Sequence, residues 1–240
     1  MCHSDDSRPP SAPGAGAARS STELELTAAD GNALLAFEAR AAEPTGASIV
    51  VLPDVRGLHE FYKDLAVRFA EVGVDAVAID YFGRTADTAD RTDAFAFMPH
   101  VQQTSPEGVA ADIAAAVAHL REAGATSVFT VGFCFGGGYS WRQSADTPGL
   151  AGCIGFYGRP QSALEVVERM QAPLLMLVAG ADAHIPVEDT RALADAAPVP
   201  AEFVVFEGAP HSFFDRSYDE HAAAADQAWA RIRQFVLAHA

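Results

Sequence analysis

From Thr22 the chain reads in period two. Glu23-Leu24-Glu25-Leu26 and Ala33-Leu34-Leu35-Ala36-Phe37 flank an Asp30-Gly31-Asn32 centre, which predicts an antiparallel hairpin. The pattern then changes. Ala47-Ser48-Ile49-Val50-Val51-Leu52 is continuously apolar, as a strand covered on both faces must be. Between Glu60 and Val72 the apolar residues Phe61, Leu65, Phe69 and Val72 recur at helical spacing, and Gly73 supplies the stop. A strand is predicted over Val74–Ile79, then an irregular stretch from Asp80 to Ser105. Pro106 opens a helix with Val109, Ile113, Ala116, Val117 and Leu120 on one face and Gly124 at its end. A strand at Val128–Gly132 runs into another helix. Strands at Leu150–Phe156, Pro173–Ala179 and Ala201–Phe206 follow, with a helix near Val187–Ala196 and a last one from about Asp219 to Ala238. This alternation predicts an α/β fold: a mostly parallel central sheet with an N-terminal antiparallel hairpin and helices on both faces. Residues 22–240 form one domain on this reading. Residues 1–21, rich in Ser, Pro, Gly, Ala and Asp without a hydrophobic period, are expected to be a flexible tail.

Composition narrows the classes of partner. The 240 residues carry 16 Lys+Arg against 32 Asp+Glu, a net charge of −16, and Lys63 is the only lysine. Such a surface repels phosphate backbones and anionic lipid, so neither nucleic acid nor a membrane is expected as partner. An anionic substrate has to be drawn in by locally placed arginines. No apolar run reaches membrane-spanning length and no basic-then-apolar leader opens the chain, so a cytoplasmic protein, monomer or homodimer, is expected. Cys2, Cys134 and Cys153 are too few and too scattered for a disulfide framework or a zinc site. Cys2-His3 with Asp5-Asp6 could catch a metal, but a mobile tail lacks preorganisation and solvation is the expectation.

The chemistry gathers around Gly132-Phe133-Cys134-Phe135-Gly136. Glycines two positions either side of the cysteine, after a strand and before a helix, have the spacing of a nucleophile elbow, where only small residues let strand and helix approach. A thiolate attacks an ester carbonyl once a neighbour takes its proton. Its partners are sought past the C-terminal ends of later strands. Asp182 stands in Gly180-Ala-Asp-Ala-His184-Ile-Pro186 and His211 in Gly208-Ala-Pro-His-Ser-Phe213. His211 is the expected base and Asp182 its orienting acid. His184 lies too close to Asp182 in the same loop to bridge it to Cys134. The other histidines, His59 among them, are expected in solvated positions, and Cys153 in a buried strand as a small hydrophobe. The backbone N–H groups of Phe135 and Val55, the latter in Pro53-Asp54-Val55-Arg56-Gly57, are the expected oxyanion donors.

These residues resemble the dienelactone hydrolase family of the α/β-hydrolase fold. The match covers about residues 22–238 and rests on the cysteine elbow Gly132–Gly137, on Gly155-Phe156-Tyr157-Gly158, on the Asp182 loop ending in Ile185-Pro186, and on Gly208–Phe213. The resemblance implies opening of a cyclic enol lactone through a Cys134 acyl-enzyme, with neither metal nor organic cofactor. It implies a glutamate in the first oxyanion loop that modulates the cysteine; here Asp54, one methylene shorter, holds that position. It implies two arginines on the substrate carboxylate. Arg84 stands where one belongs and the other position falls on Asp215, so either Arg216 or Arg56 takes its place or the substrate is not the family's usual one. Tyr157 is expected to contact substrate. Phe82, Phe95, Phe97, Met98, Phe133, Phe135 and Phe213 fall in or near the loops of the mouth, which would suit a bulkier, more hydrophobic ester. Two alternatives accompany the lactonase reading: a broad carboxylesterase or thioesterase, and a non-catalytic member that binds a small ligand.

Overall fold

The computed structural model describes residues 5–86, 91–214 and 219–240. Eight strands form one sheet in the order β1-β2-β4-β3-β5-β6-β7-β8: β1 (Ala18–Thr27), β2 (Ala33–Ala41), β3 (Ala47–Leu52), β4 (Asp75–Ile79), β5 (Ser127–Phe133), β6 (Gly152–Phe156), β7 (Leu174–Ala179) and β8 (Ala201–Phe206). The β1–β2 hairpin and the β2–β4 pair are antiparallel; from β4 through β8 every neighbour is parallel. The helices are α1 (Glu60–Ala70), α2 (Met98–Val101), α3 (Pro106–Glu122), α4 (Phe135–Asp146), α5 (Gln161–Leu164), α6 (Val187–Ala196) and α7 (Ala222–His239). This is the mostly parallel sheet with an antiparallel start that the hydrophobic pattern implies.

Alternate residues of the inner strands feed two separate cores. Ile49, Val51, Phe129, Val131, Leu175 and Leu177 pack with Phe61, Leu65 and Phe69 of α1 and Trp229, Ile232 and Phe235 of α7. Val50, Leu52, Val128, Leu174 and Met176 pack with Ile113, Val117 and Leu120 of α3, Trp141 of α4 and Leu193 of α6. All six residues of β3 are buried, which is why its sequence shows no alternation. Cys153 belongs to the second core, as a small hydrophobe in β6.

The amino-terminal stretch departs from its expected looseness. β1 begins at Ala18, Pro9, Pro10 and Ala12 are buried, and the Trp229 indole N–H donates to Pro10 O at 3.1 Å. Arg233 donates to Pro13 O at 2.9 Å and Gly16 N–H to Glu71 O at 2.7 Å. Local composition reads as a tail because the order comes from groups far along the chain. The irregular stretch from Asp80 also gains structure: a 3-10 turn at Tyr81–Arg84 and the short α2. Among the described residues no helix is long and apolar enough to cross a membrane.

Glycine is required where β6 meets α4. A Cβ on Gly155 would lie 2.4 Å from the Trp141 ring and 2.8 Å from Gly137 O. Gly155→Ala is therefore expected to lower stability by about 1–3 kcal/mol, the usual cost of overpacking, read as a drop in the urea midpoint with an unchanged m value.

Candidate active site

Cys134 occupies the apex between β5 and α4 with φ 54° and ψ −110°, in a region that L residues rarely enter. Two glycines make the apex possible. A Cβ on Gly132 would fall 1.9 Å from Gly136 O, and one on Gly136 would fall 2.3 Å from Leu52 O. The Cys134 N–H donates to Phe156 O at 3.0 Å, which ties the apex to β6, and its side chain is half-buried. The next amide, that of Phe135, opens α4 and is one of the initial N–H groups that no intrahelical carbonyl can reach.

Asp182 and His211 leave the ends of β7 and β8 and meet, with Asp182 Oδ2 2.6 Å from His211 Nδ1. The other carboxylate oxygen accepts the His184 N–H at 2.8 Å and the Ile185 N–H at 3.1 Å, so the loop itself aims Asp182. Burial works against the charge, yet the His211 hydrogen bond and these amides outweigh it and hold the carboxyl below its ordinary 3.8. The pair is thus complete above that pH and is lost only as pH falls through the depressed value. The His211 ring packs on Tyr157, centroids 4.8 Å apart. Tyr157 has φ 36° and is buried among Phe133, Phe156 and Phe213, so it is a platform for the imidazole. The imidazole of His184 stands 6.1 Å from that of His211; its backbone, not its ring, meets Asp182.

The turn after β3 is held from several sides. Asp54 is fully buried and its Oδ1 accepts the Arg56 N–H at 2.9 Å, while the Gly57 N–H donates to Asp54 O at 3.2 Å. The Tyr81 hydroxyl donates to Pro53 O and to Asp54 O. Burial, and then the negative charge of Asp54 and Asp80, push the Tyr81 hydroxyl well above its usual value. Val55 lies at the centre of this turn, half-buried.

The arginines are engaged elsewhere. Arg84 makes four hydrogen bonds to two carboxylates: Nε and Nη2 to Asp112 at 2.9 and 2.8 Å, Nη1 and Nη2 to Asp30 at 2.6 and 3.2 Å. It ties the β1–β2 turn to α3. Arg56, 2% exposed, faces Asp93 at 2.8 Å and Asp5 at 3.6 Å. Asp215 and Arg216 lie outside the described residues, as do Cys2 and His3. The expected aromatic mouth divides. Phe133 and Phe213 are core residues, stacked or tilted against Phe156 and Phe206. Phe82, Phe95 and Phe135 form a second group with Tyr81, Tyr139 and His100. Phe97 is half-buried at the start of α2, and Met98 is 51% exposed.

Four residues of this region escape a reading of the sequence. Tyr81 braces the turn after β3. Arg91 is buried in a pair with Asp80, with Nη2 2.7 Å from Oδ2, and lies over the Phe95 ring. His59 is 1% exposed rather than solvated and caps α1 by accepting the Phe61 N–H. Asp5 reaches His59 and Arg56. Only the cap position of His59, just before an apolar helical run, has a local signal.

Cys153 is an internal control for the thiol. Burial pushes it up to about 12, the Thr130 hydrogen bond opposing, whereas Cys134 is partly open to solvent. Iodoacetamide at about pH 8 is expected to label native Cys134 on the order of 10³-fold faster than Cys153, as read by peptide mass mapping.

The family model described as "Dienelactone hydrolase family" matches residues 37–240. A protein of Methylorubrum extorquens named "Putative carboxymethylenebutenolidase" is 30% identical over 234 residues, covering 89% of this chain and 79% of the relative. A Bradyrhizobium protein named "Probable 2-oxo-3-(5-oxofuran-2-ylidene)propanoate lactonase" is 29% identical over 202 residues, covering 76% of this chain and 79% of its own length. Among solved structures, the "Putative Dienelactone Hydrolase from Klebsiella pneumoniae" superposes with a TM-score of 0.75 at 27% identity, covering 91% of this chain and 99% of that one.

Proposed function

The chain belongs to the dienelactone hydrolase family and is a hydrolase of ester or lactone bonds, and from that premise we propose that it works through a Cys134 thioester. The observation that carries the reading is the pairing of a strained cysteine apex with an Asp182–His211 dyad on the same end of the sheet. His211, oriented by Asp182, takes the thiol proton, directly or after Asp54 has displaced it. The sulfur attacks the carbonyl, and the N–H groups of Phe135 and Val55 receive the developing oxyanion. Collapse expels the enolate or alkoxide, which takes the proton back from the imidazolium. Water, deprotonated by His211, then cleaves the thioester to release the acid and restore the thiol. Asp182 keeps the imidazole in the tautomer whose Nε2 accepts.

A second reading concerns charge, and the Arg84 network favours it. An enol lactone bearing a carboxylate asks for a cation at the mouth, and the guanidinium expected there already answers Asp30 and Asp112. Arg56 answers Asp93 and Asp5. With an overall charge of −16 and the aromatic group of Phe82, Phe95 and Phe135 beside the apex, neutral and more hydrophobic esters or lactones are the better match.

Both readings are tested together by comparing a carboxylated dienelactone, a neutral lactone and p-nitrophenyl acetate in wild type, Cys134→Ala and Asp182→Asn. Cys134→Ala is expected to abolish turnover of all three, and Asp182→Asn to lower kcat by roughly 10²–10⁴-fold. Survival of activity in Cys134→Ala would remove the thioester mechanism. A higher kcat/KM on the neutral substrates supports the second reading, and a preference for the carboxylated lactone would overturn it.

A further inference from the structure

Residues 5–13 run as a strap across one face of the molecule. Carbonyls of Pro13 and Pro10 are held by Arg233 and Trp229 of α7, and Arg8 faces Asp64 of α1 at 3.6 Å. The strap ends at Asp5, which joins three other groups. Its Oδ1 accepts the Asp93 N–H at 2.9 Å, and its own N–H donates to Asp93 Oδ2 at 3.2 Å. His59 Nδ1 accepts the Phe61 N–H, which leaves the proton on Nε2, and Nε2 donates to Asp5 Oδ1 at 2.9 Å. Arg56 lies between the two carboxylates. Ligand atoms of Asp5, His59 and Asp93 lie within 4.8 Å of one another, as in a cation site, but the charge they offer is met by the guanidinium. The cluster is a clasp.

Its position gives it a consequence. Arg56 is the residue after Val55, and its own N–H closes the Asp54 turn. Asp5 and Asp93 face this guanidinium, which is 2% exposed, so replacing either one weakens the charge that holds it and loosens the turn it belongs to. We propose that Asp5 and Asp93 are positioning residues for the hydrolysis: through Arg56 they hold the 54–57 turn so that the Val55 N–H points at the oxyanion, and the amino-terminal strap is thereby a working part of the site. This rests on the reading of Val55 as an oxyanion donor given above.

The test separates positioning from general stability. Asp5→Asn, Asp93→Asn and a chain lacking residues 1–8 are compared with wild type for turnover of p-nitrophenyl acetate, urea midpoint and the rate of Cys134 alkylation by iodoacetamide. Alkylation is a displacement that uses no oxyanion hole, whereas acylation does. Each single variant is expected to lose roughly 10–10²-fold in kcat, less than removal of a donor outright, with KM and the alkylation rate within about twofold of wild type. The truncated chain is expected to match or exceed the Asp5→Asn loss. Unchanged kcat in both single variants would overturn the proposal, as would kcat and alkylation falling together with the urea midpoint. Cys134→Ala, assayed alongside, distinguishes the two claims: if it retains turnover, the thioester reading itself fails, and if it is inactive while Asp5→Asn and Asp93→Asn are both unimpaired, only the positioning role fails.

Discussion

A strand and a helix can meet at the angle found at Cys134 only if nothing projects between them. Gly132 and Gly136 provide that gap, each with a backbone carbonyl inside the space a Cβ would fill. The same requirement recurs one layer out, where a Cβ on Gly137 would lie 2.6 Å from Phe156 O. Helix α4 is thus seated on β3, β5 and β6 at once. A backbone at φ 54° costs about 1–3 kcal/mol and persists because that seat and the Cys134–Phe156 hydrogen bond over-determine it. The thiol is held up by packing that leaves it no other place, and the Asp182–His211 pair and the Val55 turn are built on loops around that fixed point.

The second organising fact is how an acidic chain uses its few cations. Arg84, Arg91, Arg56 and Arg142 each meet carboxylates: Arg84 joins the β1–β2 turn to α3, Arg91 meets Asp80, Arg56 joins the turn after β3 to Asp93, and Arg142 joins α4 to the end of α5. These guanidiniums work inward. Buried or half-buried pairs of this kind fix geometry more than they add stability. Beside these pairs stands the aromatic group of Phe82, Phe95 and Phe135.

Much of the architecture was readable from the chain because burial on one or both faces imposes its own period. β3 and the hairpin show this, as do α1 and α3 with their glycine stops. The Cys134 elbow was readable for a related reason: the glycines that the turn demands stand at fixed offsets in sequence. What local pattern could not supply were contacts between distant segments. Nothing near Arg84 says that Asp30 and Asp112 will saturate it. Nothing near Asp5 says that a residue 88 positions away will hydrogen-bond with it in both directions. Phe133 and Phe213 look like mouth residues by proximity to catalytic candidates, but their rings pack on Phe156 and Phe206 in the first core. His59 looked solvated because capping by an imidazole leaves only a weak trace.

The indole hydrogen bond to Pro10 has an optical side. The chain contains two tryptophans. Trp141, on α4, donates its N–H to Leu175 O and belongs to the second core, whereas Trp229 belongs to the first. Trp229 instead donates to the strap itself. Lifting residues 5–13 exchanges that carbonyl for water and opens one face of the ring while Trp141 stays dark to the change, so the intrinsic emission of the protein carries a built-in gauge of whether its amino-terminal segment is docked.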